Sequence, residues 1–123
     1  MPMRQWTWLG ILLIGLASLP ADAHTFPDHA EPRVGHRVAA SPAQVRIWFD
    51  RAVLRGTLRV ETAEGQLVTR GAVSASTADP HLLDLAIPQL LPPGDYHVYY
   101  QVEDTHGHTT EGDYMFSVGP GGD

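Results

Sequence analysis

Tyr96, Val98, Tyr100 and Val102 alternate with His97, Tyr99, Gln101 and Glu103 between the breakers "LPPGD" and "DTHGH". This period of two restricts the fold more than any other feature. Residues two apart share one face of an extended strand, so the first four are expected to face a core and the second four the solvent. The same reading holds for "VRIWFD", where Val45, Ile47 and Phe49 alternate with Arg46, Trp48 and Asp50. "HLLDLAI" alternates Leu83, Leu85 and Ile87, and "DYMFSV" puts Tyr114, Phe116 and Val118 on one side. "GTLRVETAEGQLV" reads as a hairpin turning at Glu64-Gly65. No segment of helical length keeps a 3.6-residue period without a breaker. Several short strands at this spacing predict an all-β domain, a β-sandwich or small barrel.

The amino-terminal residues point to the compartment. "MPMRQWTW" carries Arg4 and no acid, and "LGILLIGLASL" follows as an apolar run too short to span a membrane. "ADA" then supplies the small-x-small pattern of a signal-peptidase site. Residues 1–23 are therefore expected to be a cleaved secretory signal, and residues 24–123 a single mature, secreted domain. Cleavage there would make His24 the first residue, with a free α-amine beside its imidazole.

Composition narrows the chemistry. The chain has no cysteine, which excludes disulfides, thiolate metal sites and cysteine nucleophiles. It has no lysine and a net charge of −6, so nucleic acid is not an expected partner. All seven histidines lie at or after residue 24. An amino-terminal histidine can chelate a metal through amine and ring together, and the amine titrates near neutrality at about 7.7–8.0, so a metal displaces its proton at small cost.

"VEDTHGHTTEGDY" offers further ligands. His106 and His108 are two apart, so on an extended backbone both rings leave by the same face, with Gly107 leaving room between them. One amine and three imidazoles form an all-nitrogen set suited to tetragonal Cu(II), with tetrahedral Zn(II) as the chemical rival. His36 and His81 read as loop residues, His97 as solvent-facing, and His29, five residues from His24, as pointing to the opposite face of a strand.

At this point the mature chain resembles the CopC copper-resistance proteins of the bacterial periplasm. "HTFPDHAEPRVG" is similar to the family's opening, "SPAQVRIWFDRAV" to its second strand, "LPPGDYHVYY" to its Pro-Pro-Gly-x-Tyr strand and "HGHTTEGDYMFSV" to its closing segment. The resemblance implies a Greek-key β-barrel or sandwich, cupredoxin- or immunoglobulin-like, that binds one Cu(II) per chain. It further implies a copper carrier or chaperone without catalytic turnover, handing copper to a CopD-type inner-membrane partner or a periplasmic copper enzyme.

The family's ligands are the amino-terminal amine and imidazole, an Asp, and a His two residues after it. His24 and His108 match these positions. The Asp position, counted back from Gly112, falls on His106, a departure that leaves Asp104 as a reserve ligand. Another departure is Arg51, or its neighbour Asp50, where some members place an acid near the copper. Met115 is the only methionine after the signal, so a methionine-rich Cu(I) site is not expected. A monomer is expected, with a metal-bridged dimer left open by three exposed imidazoles. Two other readings stand beside this one: a small copper-brace enzyme resembling lytic polysaccharide monooxygenases, and a metal-free immunoglobulin-like interaction module.

Overall fold

In a computed structural model, which describes residues 25–120, the alternation becomes eight strands: β1 (Pro27–Glu31), β2 (Arg37–Val38), β3 (Gln44–Phe49), β4 (Val53–Thr62), β5 (Leu67–Ser74), β6 (Leu82–Ala86), β7 (Gly94–Asp104) and β8 (Thr109–Val118). No helix occurs among the described residues. A three-stranded sheet has the order β1-β3-β6, and a five-stranded sheet the order β2-β8-β7-β4-β5. All pairings are antiparallel except β2 with β8, which is parallel. The two sheets pack as a Greek-key-like β-sandwich, as the period-two reading requires.

The core is the set of residues that the alternation turned inward. Val45, Ile47 and Phe49 of β3 and Leu83 of β6 meet Leu58 and Val60 of β4, Val98 and Val102 of β7, and Phe116 of β8. Phe49 meets Tyr100 edge-on across the two sheets, with ring centroids 5.6 Å apart. Such aromatic pairs add to the stabilisation that burial alone supplies. The β4–β5 hairpin turns at residues 63–66, where Gly65 has φ 88°, a left-handed conformation that favours glycine.

The long β7 and β8 run side by side from Gly94↔Val118 to Glu103↔Thr109. Their connection, residues 105–108, therefore projects from one end of the sandwich. At the same end, Phe26 and Asp50 exchange two hydrogen bonds: Asp50 N donates to Phe26 O at 2.8 Å, and Phe26 N to Asp50 Oδ1 at 3.1 Å. The first strand begins at Pro27, and Thr25 and Phe26 ahead of it are not in a strand.

Candidate metal centre

Asp104, the last residue of β7, is fully buried, and its carboxylate organises the loop that follows. Oδ1 accepts from the backbone amides of His106 at 2.8 Å and His108 at 3.0 Å. Its own amide donates to His108 O at 2.9 Å, and Gly107 N donates to Asp104 O at 3.1 Å. An aspartate side chain bonding the backbone two residues ahead is a common way to build a tight turn. Gly107 has φ 85°, and nothing lies near the place a Cβ would take, so the demand for glycine comes from the backbone.

Sequence reasoning placed the two loop histidines together by assuming an extended backbone. The backbone from 105 to 107 is turned, so that argument does not apply. His106 and His108 share a loop because one carboxylate gathers both of their amides. Both residues are exposed, with the His108 side chain half accessible. His108 Nδ1 lies 3.6 Å from Asp104 Oδ2, an ion-pair separation rather than a hydrogen bond.

The second oxygen of Asp104 reaches the start of the described chain. Thr25 Oγ1 donates to Asp104 Oδ2 at 3.3 Å, and Thr25 N donates to Thr110 Oγ1 at 3.2 Å. Thr25 and Asp104 are fully buried and Thr110 nearly so; apart from the core tyrosines, these three are the buried polar residues among those described. Burial by itself would raise the Asp104 pKa. The amides of His108 and His106, the positive charge His108 can carry, and the Thr25 hydroxyl outweigh it and hold the carboxyl below its ordinary value of 3.8.

Of the residues singled out from sequence, His106 and His108 come together, and His24 lies outside the described residues. Among the described residues no three His, Asp or Glu side chains converge as a metal-binding group. The carboxylate of Asp104, the reserve ligand, accepts three hydrogen bonds within the protein. The neighbouring acids have other places: Glu103 pairs with Arg55, and Glu111 lies on the outer face of the five-stranded sheet opposite Gln101. Asp50 accepts from Phe26 and sits 3.7 Å from Arg51.

The other histidines have local partners. His29 stacks on Trp48 with ring centroids 4.4 Å apart, and His81 Nδ1 meets Phe49 O at 2.9 Å. His97 lies between Asp113 and Tyr99 on the outer sheet face. His36 sits in the loop ahead of β2, where its carbonyl accepts from Ser117 N. Thr25 and Thr110 were not singled out from sequence. Threonines in strand-rich chains are common, and only the fold reveals that these two meet a buried carboxylate.

Comparison with known proteins bears on this arrangement. A family model described as the CopC domain matches residues 28–119. The chain is similar to protein YobA of Escherichia coli K12, 27% identical over 112 residues that cover 89% of this chain and 90% of the relative. Among solved structures it is similar to CopC from Methylosinus trichosporium OB3b, with a TM-score of 0.74 and 32% identity over 81% of this chain and 98% of that one. It also shares the fold of PcoC, a methionine-rich copper resistance protein from Escherichia coli. There the TM-score is 0.59 and the identity 22%, over 77% of this chain and 98% of the other.

Proposed function

Because the chain belongs to the CopC family, we propose that it is a periplasmic Cu(II)-binding protein that carries copper for resistance or delivery. One ion is held by the α-amine and imidazole of His24 together with His106 and His108. The observation that carries this reading is the anchorage of Thr25 on Thr110 and Asp104. His24 is bonded to the very nitrogen that Thr110 holds, and consecutive Cα atoms are about 3.8 Å apart. Asp104 also holds the two loop histidines, so a single buried carboxylate ties the segment after His24 to the loop.

The donor chemistry supports Cu(II). Amine and imidazole nitrogens suit its tetragonal preference, and copper heads the divalent affinity order. Metal release needs no catalytic turnover, and the exposed loop leaves the ion accessible to a CopD-type membrane partner or a copper enzyme. The chelate through His24 requires a free amine, which is made only when residues 1–23 are removed.

Titration with Cu(II) of the processed protein and of a form with two extra residues ahead of His24 tests the reading. The processed protein should bind far more tightly, and its Cu(II) EPR spectrum should show nitrogen hyperfine structure that loses one nitrogen in His106→Ala. Equal affinity in the two forms removes the proposed site.

A further inference from the structure

The outer face of the five-stranded sheet is laid out in rows across β5, β4, β7 and β8. Residues paired directly across neighbouring strands share a face. The registers therefore set Leu67, Glu61, His97 and Met115 side by side in one row, and Arg70, Arg59, Tyr99 and Asp113 in the next. The β4–β5 half carries Arg55, Arg59 and Arg70, and the β7–β8 half Glu103, Glu111 and Asp113. Arg59 lies over the Tyr99 ring at 4.2 Å and ion-pairs with Glu61 at 2.7 Å, while Asp113 meets His97. Arg70 on β5 and Glu111 on β8 are exposed, and neither has an ion-pair partner among the described residues.

Arg59 and Arg70 stand directly opposite each other, and like charges so placed cost stability unless an anion answers them. Glu61 answers Arg59, and no described residue answers Arg70. In the next row, Leu67 on β5 is 52% exposed and Met115 on β8 is 42% exposed. Each row is thus complementary to its own reverse. A cation at one end has an anion at the other, and an apolar side chain at one end has an apolar side chain at the other.

We propose that this face is the interface of a copper-independent homodimer, in which a two-fold axis running along the strands between β4 and β7 lays the β4–β5 half of each copy over the β7–β8 half of the other. Under that operation Arg70 meets Asp113 of the second copy, with Glu111 one row away. Arg59 meets Tyr99 and Leu67 meets Met115, and every contact is made twice. A two-fold axis across the strands would set the arginine half on itself, so the charge pattern selects one axis. Aligned sheets cross at about 30°, and the long side chains of Arg70 and Met115 span the offset this leaves at the margins. The shallow depression over Thr57 and Gln101 faces itself and encloses water, as polar interfaces commonly do.

The rows extend about 20 Å along the strands and about 14 Å across them, from the ordinary rise and spacing of strands. Such a face lies at the low end of specific interfaces, so the dimer is weak and depends on concentration. The axis keeps the 105–108 loops of both copies at the same end. On the copper reading above, two metal sites are then presented side by side, but the dimer itself does not depend on that reading.

The test is sedimentation equilibrium of the metal-free processed protein with a chelator present. A monomer–dimer equilibrium is expected, and salt should weaken it because exposed charges carry part of the contact. Arg70→Glu removes no local partner and should raise the dissociation constant at least tenfold, as should Leu67→Asp in the neighbouring row. Combining Arg70→Glu with Asp113→Arg restores opposite charges across the axis and should recover part of the lost association. A wild-type protein that stays monomeric up to about 1 mM overturns the dimer. Association unaltered in both Arg70→Glu and Leu67→Asp overturns this face, and a folded exchange variant with no recovery overturns the axis. Association that disappears on chelation identifies a metal-bridged pair and overturns the proposal as well.

Discussion

Thr25 and Asp104 stand 79 residues apart in the chain and share a buried hydrogen bond of 3.3 Å. It joins the segment ahead of β1 to the end of β7, and β1 and β7 belong to different sheets. Thr25→Val keeps the shape and removes the hydroxyl. Hydrogen bonds to charged groups are worth about 1.5–3 kcal/mol, so a loss of that order in urea-unfolding free energy is expected. Copper affinity should fall with it, because the residue that follows His24 is no longer hooked to the loop. A Thr25→Val protein of wild-type stability and affinity would show that the bond has no structural consequence.

The depressed Asp104 carboxyl predicts acid sensitivity. In the unfolded chain the group titrates near its ordinary value of 3.8, and in the fold it titrates lower. The stabilisation is therefore fully present above about pH 4 and disappears as pH falls through the folded value. Unfolding free energies of the metal-free protein should decline from pH 4 downwards, and the decline should be shallower in Asp104→Asn. Parallel curves for the two proteins would assign the acid response to other carboxylates.

His106 stands where the family's pattern has an aspartate, and the charge of the copper centre follows from that. A neutral imidazole leaves the site one unit more positive than a carboxylate, which disfavours Cu(II) relative to Cu(I). His106→Asp should accordingly shift the Cu(II)/Cu(I) potential in the negative direction, read by voltammetry of the loaded protein. An unchanged or more positive potential would argue that residue 106 is not bound to the metal.

The strands were legible because burial on one face writes itself into the sequence as alternation. Val45, Ile47, Phe49, Tyr96, Val98, Tyr100 and Val102 all face inward as expected. The turn at Gly65 was legible for a similar reason, since Glu-Gly between alternating runs is a local signal. The loop was legible only in content. Its histidines were found, and Asp104 was read as a reserve ligand or a support for the rings, but not as the acceptor of the loop's own amides, since a carboxylate beside two histidines looks the same whether it binds metal or backbone. The Thr25–Asp104–Thr110 cluster was illegible because Thr25 lies 79 residues from Asp104 and neither threonine carries a local signal of its own. Long-range polar contacts carry no periodicity.

Gly112 in β8 is directly opposite Tyr100, and the tyrosine ring lies where a side chain on residue 112 would go. Gly112→Ala should therefore push the Tyr100 ring, which also packs edge-on against Phe49, out of its place. Overpacking of this kind typically costs about 1–3 kcal/mol. The hydroxyl is the nearest of the ring atoms to the added methyl, so Tyr100→Phe should recover part of the loss in the double variant. A double-mutant cycle of thermal or urea unfolding measures that coupling, and strict additivity would mean that the strand shifts instead of the ring.

Tyr114 has its hydroxyl buried with no hydrogen-bond partner among the described residues. Burial pushes its pKa far above the ordinary 10.0. An unsatisfied buried hydroxyl costs about 1–3 kcal/mol of desolvation, so removing it in Tyr114→Phe is expected to leave stability unchanged or to raise it. The alkaline limb gives a second readout. Because the folded pKa is raised, the stability tied to this group is complete below about pH 10 and declines as the pH rises further, when the unfolded chain ionises and the fold does not. The decline of unfolding free energy between pH 10 and 11 should be smaller in Tyr114→Phe than in the wild type. A destabilised Tyr114→Phe would instead reveal that the hydroxyl makes a compensating bond in solution.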